Sequence, residues 1–191
     1  MKRVLKTVAA AAAVAAFPFA ASAHPGFHAA GFADGFIHPF TGADHLMAMV
    51  AAGYWAGRFS GWTRAIIPAV FVGVMVVGAA LGFHAEAPGF VEYGVAASVA
   101  IMGALLAFDI RMPSGLAAAL VGLFAFCHGF AHGSEAPQSA GQALFFSGFV
   151  LASVILQGFG LALARLRPPL VLARAIGALV ALSGAWMLGN A

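Results

Sequence analysis

The stretch that decides the fold is Ala65-Ile66-Ile67-Pro68-Ala69-Val70-Phe71-Val72-Gly73-Val74-Met75-Val76-Val77-Gly78-Ala79-Ala80-Leu81-Gly82-Phe83. It carries no ionisable side chain, and its length matches the about 20 apolar residues that a helix needs to cross a bilayer. Arg64 precedes it and His84 to Pro88 follow it, so polar residues bound it at both ends. The pattern recurs along the chain. Spans of bilayer length are expected at about 37–57, 65–83, 90–108, 114–133, 141–163 and 171–189, divided by loops that hold the charges and prolines. The reading is all-α: a polytopic membrane protein, a compact bundle of six transmembrane helices.

Composition agrees. Of 191 residues, 63% are hydrophobic and 8% charged, and the mean hydropathy is +0.99. A soluble domain carries about 25% charged residues. This balance excludes a soluble enzyme, a disordered chain and a nucleic-acid binder. The pI near 9.6 reflects Lys2, Arg3 and Lys6 at the start of the chain; beyond them arginines and acids balance. No basic patch remains to hold a polyanion. Cys127 is the single cysteine, so no internal disulfide or thiolate cluster can form from one chain. No G-x-x-x-x-G-K-[ST] occurs, which leaves the chain without a phosphate-cradling loop for ATP.

Residues 1–23 read as a signal peptide. Lys2, Arg3 and Lys6 form its basic start, an apolar run follows from Val8 to about Ala20, and Ala21-Ser22-Ala23 supplies the small-x-small cleavage site. Cleavage there leaves residues 24–191 as a six-helix transmembrane domain that begins at His24 outside the cytoplasm. Arg58, Arg64, Arg111, Arg165, Arg167 and Arg174 then all fall in or beside the first, third and fifth loops. Those loops are cytoplasmic if the N-terminus is outside, as the positive-inside rule requires. Both chain ends then face the periplasm of a bacterial inner membrane. Asp34, Glu86, Glu92 and Glu135 gather toward the outer face, while Asp109 lies in a cytoplasmic loop. The pairs Gly53/Gly57, Gly78/Gly82 and Gly129/Gly133 have the G-x-x-x-G spacing that lets helix backbones approach closely.

Two segments do not suit lipid. One is His38-Pro39-Phe40-Thr41-Gly42-Ala43-Asp44-His45, and the other is His128-Gly129-Phe130-Ala131-His132-Gly133-Ser134-Glu135. An ionisable side chain at membrane depth costs at least about 2.5–3.5 kcal/mol, so such a concentration needs a reason. On a helix, His128 and His132 are separated by about 40° and about 6 Å, and Glu135 returns to the same line. His38 and His45 are related likewise, provided that one helix runs through Pro39 to His45. Asp44 points about 100° away from His45; it can ligate directly or hold an imidazole through its second nitrogen. Both segments lie in the outer half of the bilayer. Neutral imidazole with carboxylate suits a borderline divalent ion such as nickel, cobalt or zinc. The expected metal ligands are therefore His38, Asp44, His45, His128, His132 and Glu135. Met47 and Met49 are assigned to the bundle core, Cys127 is a buried structural thiol, and His84 and Glu86 belong to a solvated loop. His24 and His28 stand near the new N-terminus, where they can meet a metal ion.

At these segments the chain resembles the HupE/UreJ family of nickel permeases. One mark of that family is H-P-x-x-G-x-D-H, met here by His38, Pro39, Gly42, Asp44 and His45. The other is F-H-G-x-A-H-G-x-E, met by His128, Gly129, Ala131, His132, Gly133 and Glu135, with Cys127 in place of Phe. The resemblance implies a permease that imports Ni2+, or Co2+, for hydrogenase or urease maturation. The ion is then cargo rather than a permanently bound cofactor, and the partners are a divalent cation and the lipid bilayer. Two rivals share the histidines: an intramembrane hydrolase with a metal-activated water, and a haem-binding electron carrier. No H-E-x-x-H favours the first, and the acids beside the histidines argue against the second.

Overall fold

The computed structural model describes residues 31–136 and 141–191. The leader, His24 and His28 lie outside the described residues. The described chain forms seven helices: α1 (Phe32–Thr41), α2 (Ala43–Ala56), α3 (Thr63–Gly82), α4 (Gly89–Ala107), α5 (Ser114–Glu135), α6 (Gln142–Arg165) and α7 (Leu170–Leu188). Helices α3 to α7 are each long and apolar enough to cross a membrane. Their ends fall within two residues of the expected spans.

The expected first span, 37–57, is corrected. It is two helices rather than one, broken at Gly42. The cause is local. Pro39 has no N–H to return to the Gly35 carbonyl, which weakens the last turn of α1. Gly42 then leaves helical geometry at φ −85°, ψ 116°. Its N–H donates to the His38 carbonyl at 3.2 Å, and Thr41 Oγ1 donates to the same oxygen at 2.9 Å. The Gly42 carbonyl in turn accepts from Leu46 N at 3.0 Å and opens α2. A Cβ at Gly42 would sit 2.9 Å from Asp44 Oδ1 and 3.0 Å from His45 Nδ1. At its other end the second histidine segment stays helical through Glu135, so Ser134 and Glu135 belong to α5 rather than to the following loop.

Small residues set the packing. A Cβ at Gly78 or Gly82 of α3 would strike the carbonyls of Phe126 or Phe130, and one at Gly129 or Gly133 of α5 would strike those of Met75 or Ala79. The two G-x-x-x-G pairs therefore face each other across a parallel crossing. Gly53 of α2 rests on the Gln157 backbone of α6, and Gly35 of α1 rests on Phe145, so α6 runs parallel to both pieces of the broken span. Helices α4 and α7 meet antiparallel through Gly103, Gly177 and Gly184. Trp55, Met49, Ile67, Phe71, Met75, Phe124 and Phe149 fill the centre. Val77, Leu81, Leu123, Leu179 and Leu182 are exposed on the outside, as a lipid-facing surface requires.

Arginines mark one end of the bundle. Arg58 Nη2 pairs with Asp109 Oδ1 at 2.5 Å, Trp55 Nε1 donates to the Ile110 carbonyl at 2.9 Å, and Arg174 Nε donates to the Ala107 carbonyl at 2.8 Å. The first and third loops and the start of α7 therefore share that end. At the opposite end Tyr93 Oη donates to the Ala191 carbonyl at 3.2 Å. Met49 lies in the core and Met47 packs on Ala48 and Val99. Cys127 packs among Val91, Val95 and Ala131, with its Sγ against Gly94 of α4. All three match their sequence assignments.

Candidate metal site

The break at Gly42 brings two helix ends to one place. His38 comes from the last turn of α1, Asp44 and His45 from the first turn of α2, and His128, His132 and Glu135 from the C-terminal part of α5. The ring centroids of His45 and His132 are 4.2 Å apart, those of His38 and His132 4.7 Å, and those of His45 and His128 4.9 Å. His38 and His45 do not share one continuous helix as the spacing argument required. Their rings still approach to 5.9 Å, because the chain turns between them.

Two donor sets emerge, and both use His132. His45, His128 and His132 are buried and each offers a ring nitrogen, all within 4.8 Å of one another; His38, His132 and Glu135 form a second set at the same spacing. Two nitrogens bound at about 2.1 Å to one ion are at most about 4.2 Å apart, so small side-chain adjustments would close either set. Glu135 is the exposed member, with Oε2 3.9 Å from His132 Nδ1. It marks the mouth, and the three-imidazole set lies deeper.

The hydrogen bonds settle which nitrogens are free. Asp44 Oδ1 lies 2.6 Å from His45 Nδ1 and accepts from the His45 backbone N at 2.8 Å. The proton of His45 therefore belongs on Nδ1, and Nε2 keeps its lone pair. Of the two roles open to Asp44 in the sequence, this contact is the one that fixes an imidazole from behind. Its negative charge also sits in the first turn of α2, where the helix dipole favours it. On α4, Ser98 Oγ donates to the Val95 carbonyl at 2.6 Å, so its 2.8 Å contact with His128 Nε2 is accepted from the ring. His128 Nδ1 is then the free nitrogen. Among the described residues His45 Nε2, His128 Nδ1 and both nitrogens of His132 are buried without a partner.

Buried polar atoms without partners are rare in folded proteins, and each costs about 1–3 kcal/mol. Three imidazoles presenting unpaired nitrogens to one another form a donor set for a divalent cation. Phe149 covers His132, with centroids 4.1 Å apart, and Phe71 lies on the α3 side of His128. His84 and Glu86 are exposed in the loop between α3 and α4. Both stand outside the two donor sets, as the solvated-loop reading expected. Ser98 was not legible in the sequence: a single serine in an apolar helix carries no spacing signal, and only the helix packing sets it against His128.

Fold and cluster together define a class: a multi-pass helical membrane protein with a buried histidine cluster backed by a carboxylate toward one end. Sequence comparison narrows it. The family described as HupE / UreJ protein matches residues 11–187. The chain is 43% identical over 179 residues to Protein HupE of Rhizobium leguminosarum bv. viciae, which covers 92% of this chain and 94% of that one. This chain belongs to the HupE/UreJ family. No solved structure matches it.

Proposed function

We propose that the protein is an inner-membrane permease that carries Ni2+ from periplasm to cytoplasm for metalloenzyme maturation, with Co2+ as the other cargo that the same donors accept. The observation that carries this reading is the set of three buried imidazoles whose unpaired nitrogens converge. In this reading Glu135 and His38 receive the hydrated ion at the mouth. His132, with two free nitrogens, passes it from the outer set to the inner one. His45 and His128 complete the inner set, and Asp44 holds His45 in its binding tautomer. Neutral imidazoles bind a borderline ion firmly enough to replace its water, while their lack of charge favours release. A divalent ion entering a cell gains about 4.6 kcal/mol per 100 mV of inside-negative potential, so accumulation by about three orders of magnitude needs no ATP. Neither the family nor the cluster supports the hydrolase alternative.

Orientation belongs to the same proposal. The arginine-bearing end is assigned to the cytoplasm, which places the cluster toward the periplasm. Residues 1–23 are removed as a signal peptide and the mature chain crosses the membrane six times, with α1 and α2 together making the first crossing. A reporter fused after Ala191 should then behave as periplasmic. Cytoplasmic activity would mean that the number of crossings is wrong by one.

The direct test is Ni2+ binding to purified protein, with uptake of radioactive nickel into cells. Protons compete with the ion for the ring nitrogens. Binding should therefore weaken as the outside pH falls from about 7.5 to about 5.5. Binding that strengthens over that range would exclude imidazole ligation.

A further inference from the structure

Helix α6 carries a buried stripe that starts at the histidine cluster and runs toward the arginine-bearing end. Its members are Phe149, Ser153 and Gln157, spaced four residues apart, with exposures of 0%, 0% and 1%. Phe149 touches the His132 ring. Ser153 Oγ donates to the Phe149 carbonyl at 2.8 Å and lies 3.7 Å from Met75 Sδ of α3; the hydroxyl oxygen keeps its lone pairs. One turn further on, Gln157 lies where the α6 backbone packs on Gly53 of α2. By helical rise it is about 12 Å below Phe149 and about 12 Å above Arg165, close to the middle of the crossing.

Gln157 stands out because neither Oε1 nor Nε2 has a hydrogen-bond partner among the described residues. An amide that serves as glue between membrane helices would bond the neighbouring helix. An unpaired one at this depth costs several kcal/mol on hydrocarbon-like scales, on the order of the stability of a small domain. A passing cation with its remaining water would satisfy it. An amide oxygen, a hydroxyl and a thioether are also weaker donors for a borderline ion than three imidazoles, and a path must step down in affinity if the ion is to leave.

We propose that Gln157, with Ser153 Oγ and Met75 Sδ, forms a second and weaker station for the divalent cation between the histidine cluster and the arginine-bearing end. This rests on the permease reading above. The test uses the full chain, with Ni2+ binding measured by calorimetry and Ni2+ influx measured in proteoliposomes held at an inside-negative potential. Gln157→Met removes the amide at similar volume. It should bind Ni2+ within about twofold of the parent and melt at the same temperature, while influx falls by about tenfold or more. Gln157→Glu places a charged oxygen at the station and should raise the stoichiometry from one Ni2+ per chain to two.

Parental influx in Gln157→Met would overturn the station. So would loss of Ni2+ binding together with influx in that variant, because Gln157 would then support the cluster or the fold. Folded Gln157→Glu protein that binds only one Ni2+ overturns it as well. Failure of the parent itself to bind or transport Ni2+ is a different result: it removes the permease reading and leaves the unpaired amide to be explained by buried water.

Discussion

Uptake of Ni2+ at low external concentration should be abolished by His45→Ala and by His128→Ala, and should survive His84→Ala. The first two residues each present one free nitrogen to the buried set, whereas His84 is exposed on a loop that water already reaches. Losing one of three nitrogens should cost more than the about 10–100-fold in affinity that follows loss of a partner behind a metal ligand. Asp44→Asn supplies that smaller loss. It keeps the side chain's shape and removes the charge facing His45 Nδ1, so it should transport measurably but weakly. Removing a buried polar partner also destabilises a fold by about 1–3 kcal/mol, so the variants must be compared at equal membrane abundance. Transport at parental rates by all four variants would make the cluster a packing feature and end the permease proposal.

The grading depends on atoms that the sequence could not place. Both histidine segments could be placed at one side of the bundle from loop alternation alone, which puts the start of the first span and the end of the fourth at one level. The sequence also located α3 to α7 within two residues, because an apolar run bounded by charges has only one way to lie in a bilayer. The break at Gly42 was harder to see. Proline is tolerated in a first turn, and H-P-x-x-G reads equally well as a helix start or a helix interruption. The choice is made locally, where Gly42 leaves helical geometry and its carbonyl opens α2, and the spacing of the motif does not record it. The same holds for Asp44. Helical geometry pointed it away from His45, yet a side chain at a helix start is free to fold back onto its neighbour. Gln157 and Ser153 are polar residues in an apolar helix with no spacing signal to single them out. Only the packing shows that Ser153 bonds its own backbone while the Gln157 amide has no partner among the described residues.

The largest structural effect is expected at the crossing that supports the site. Gly129→Val should remove the folded protein from the membrane, while Gly73→Ala should leave it intact. A Cβ at Gly129 would fall 2.0 Å from the Met75 carbonyl oxygen, and a backbone atom cannot move aside as a side-chain tip can. Ordinary overpacking costs about 1–3 kcal/mol. Here the cost should be larger, because α3 and α5 must separate along both G-x-x-x-G pairs, and lipid offers no hydrophobic drive to hold them. Gly73 lies on the same α3 helix with nothing within 4 Å of the added carbon. Alanine there should be neutral, or stabilise the helix by about 0.5–1 kcal/mol. Membrane abundance and monodispersity in detergent distinguish the two, and a parental melting temperature for Gly129→Val would mean that α3 and α5 do not touch there. The crossing also bears on transport, since His128 and His132 each precede a glycine of this contact. The milder Gly133→Ala, whose Cβ would meet the Ala79 carbonyl oxygen at 2.2 Å, should therefore shift the imidazoles before it dissolves the bundle, lowering Ni2+ affinity in protein that still reaches the membrane.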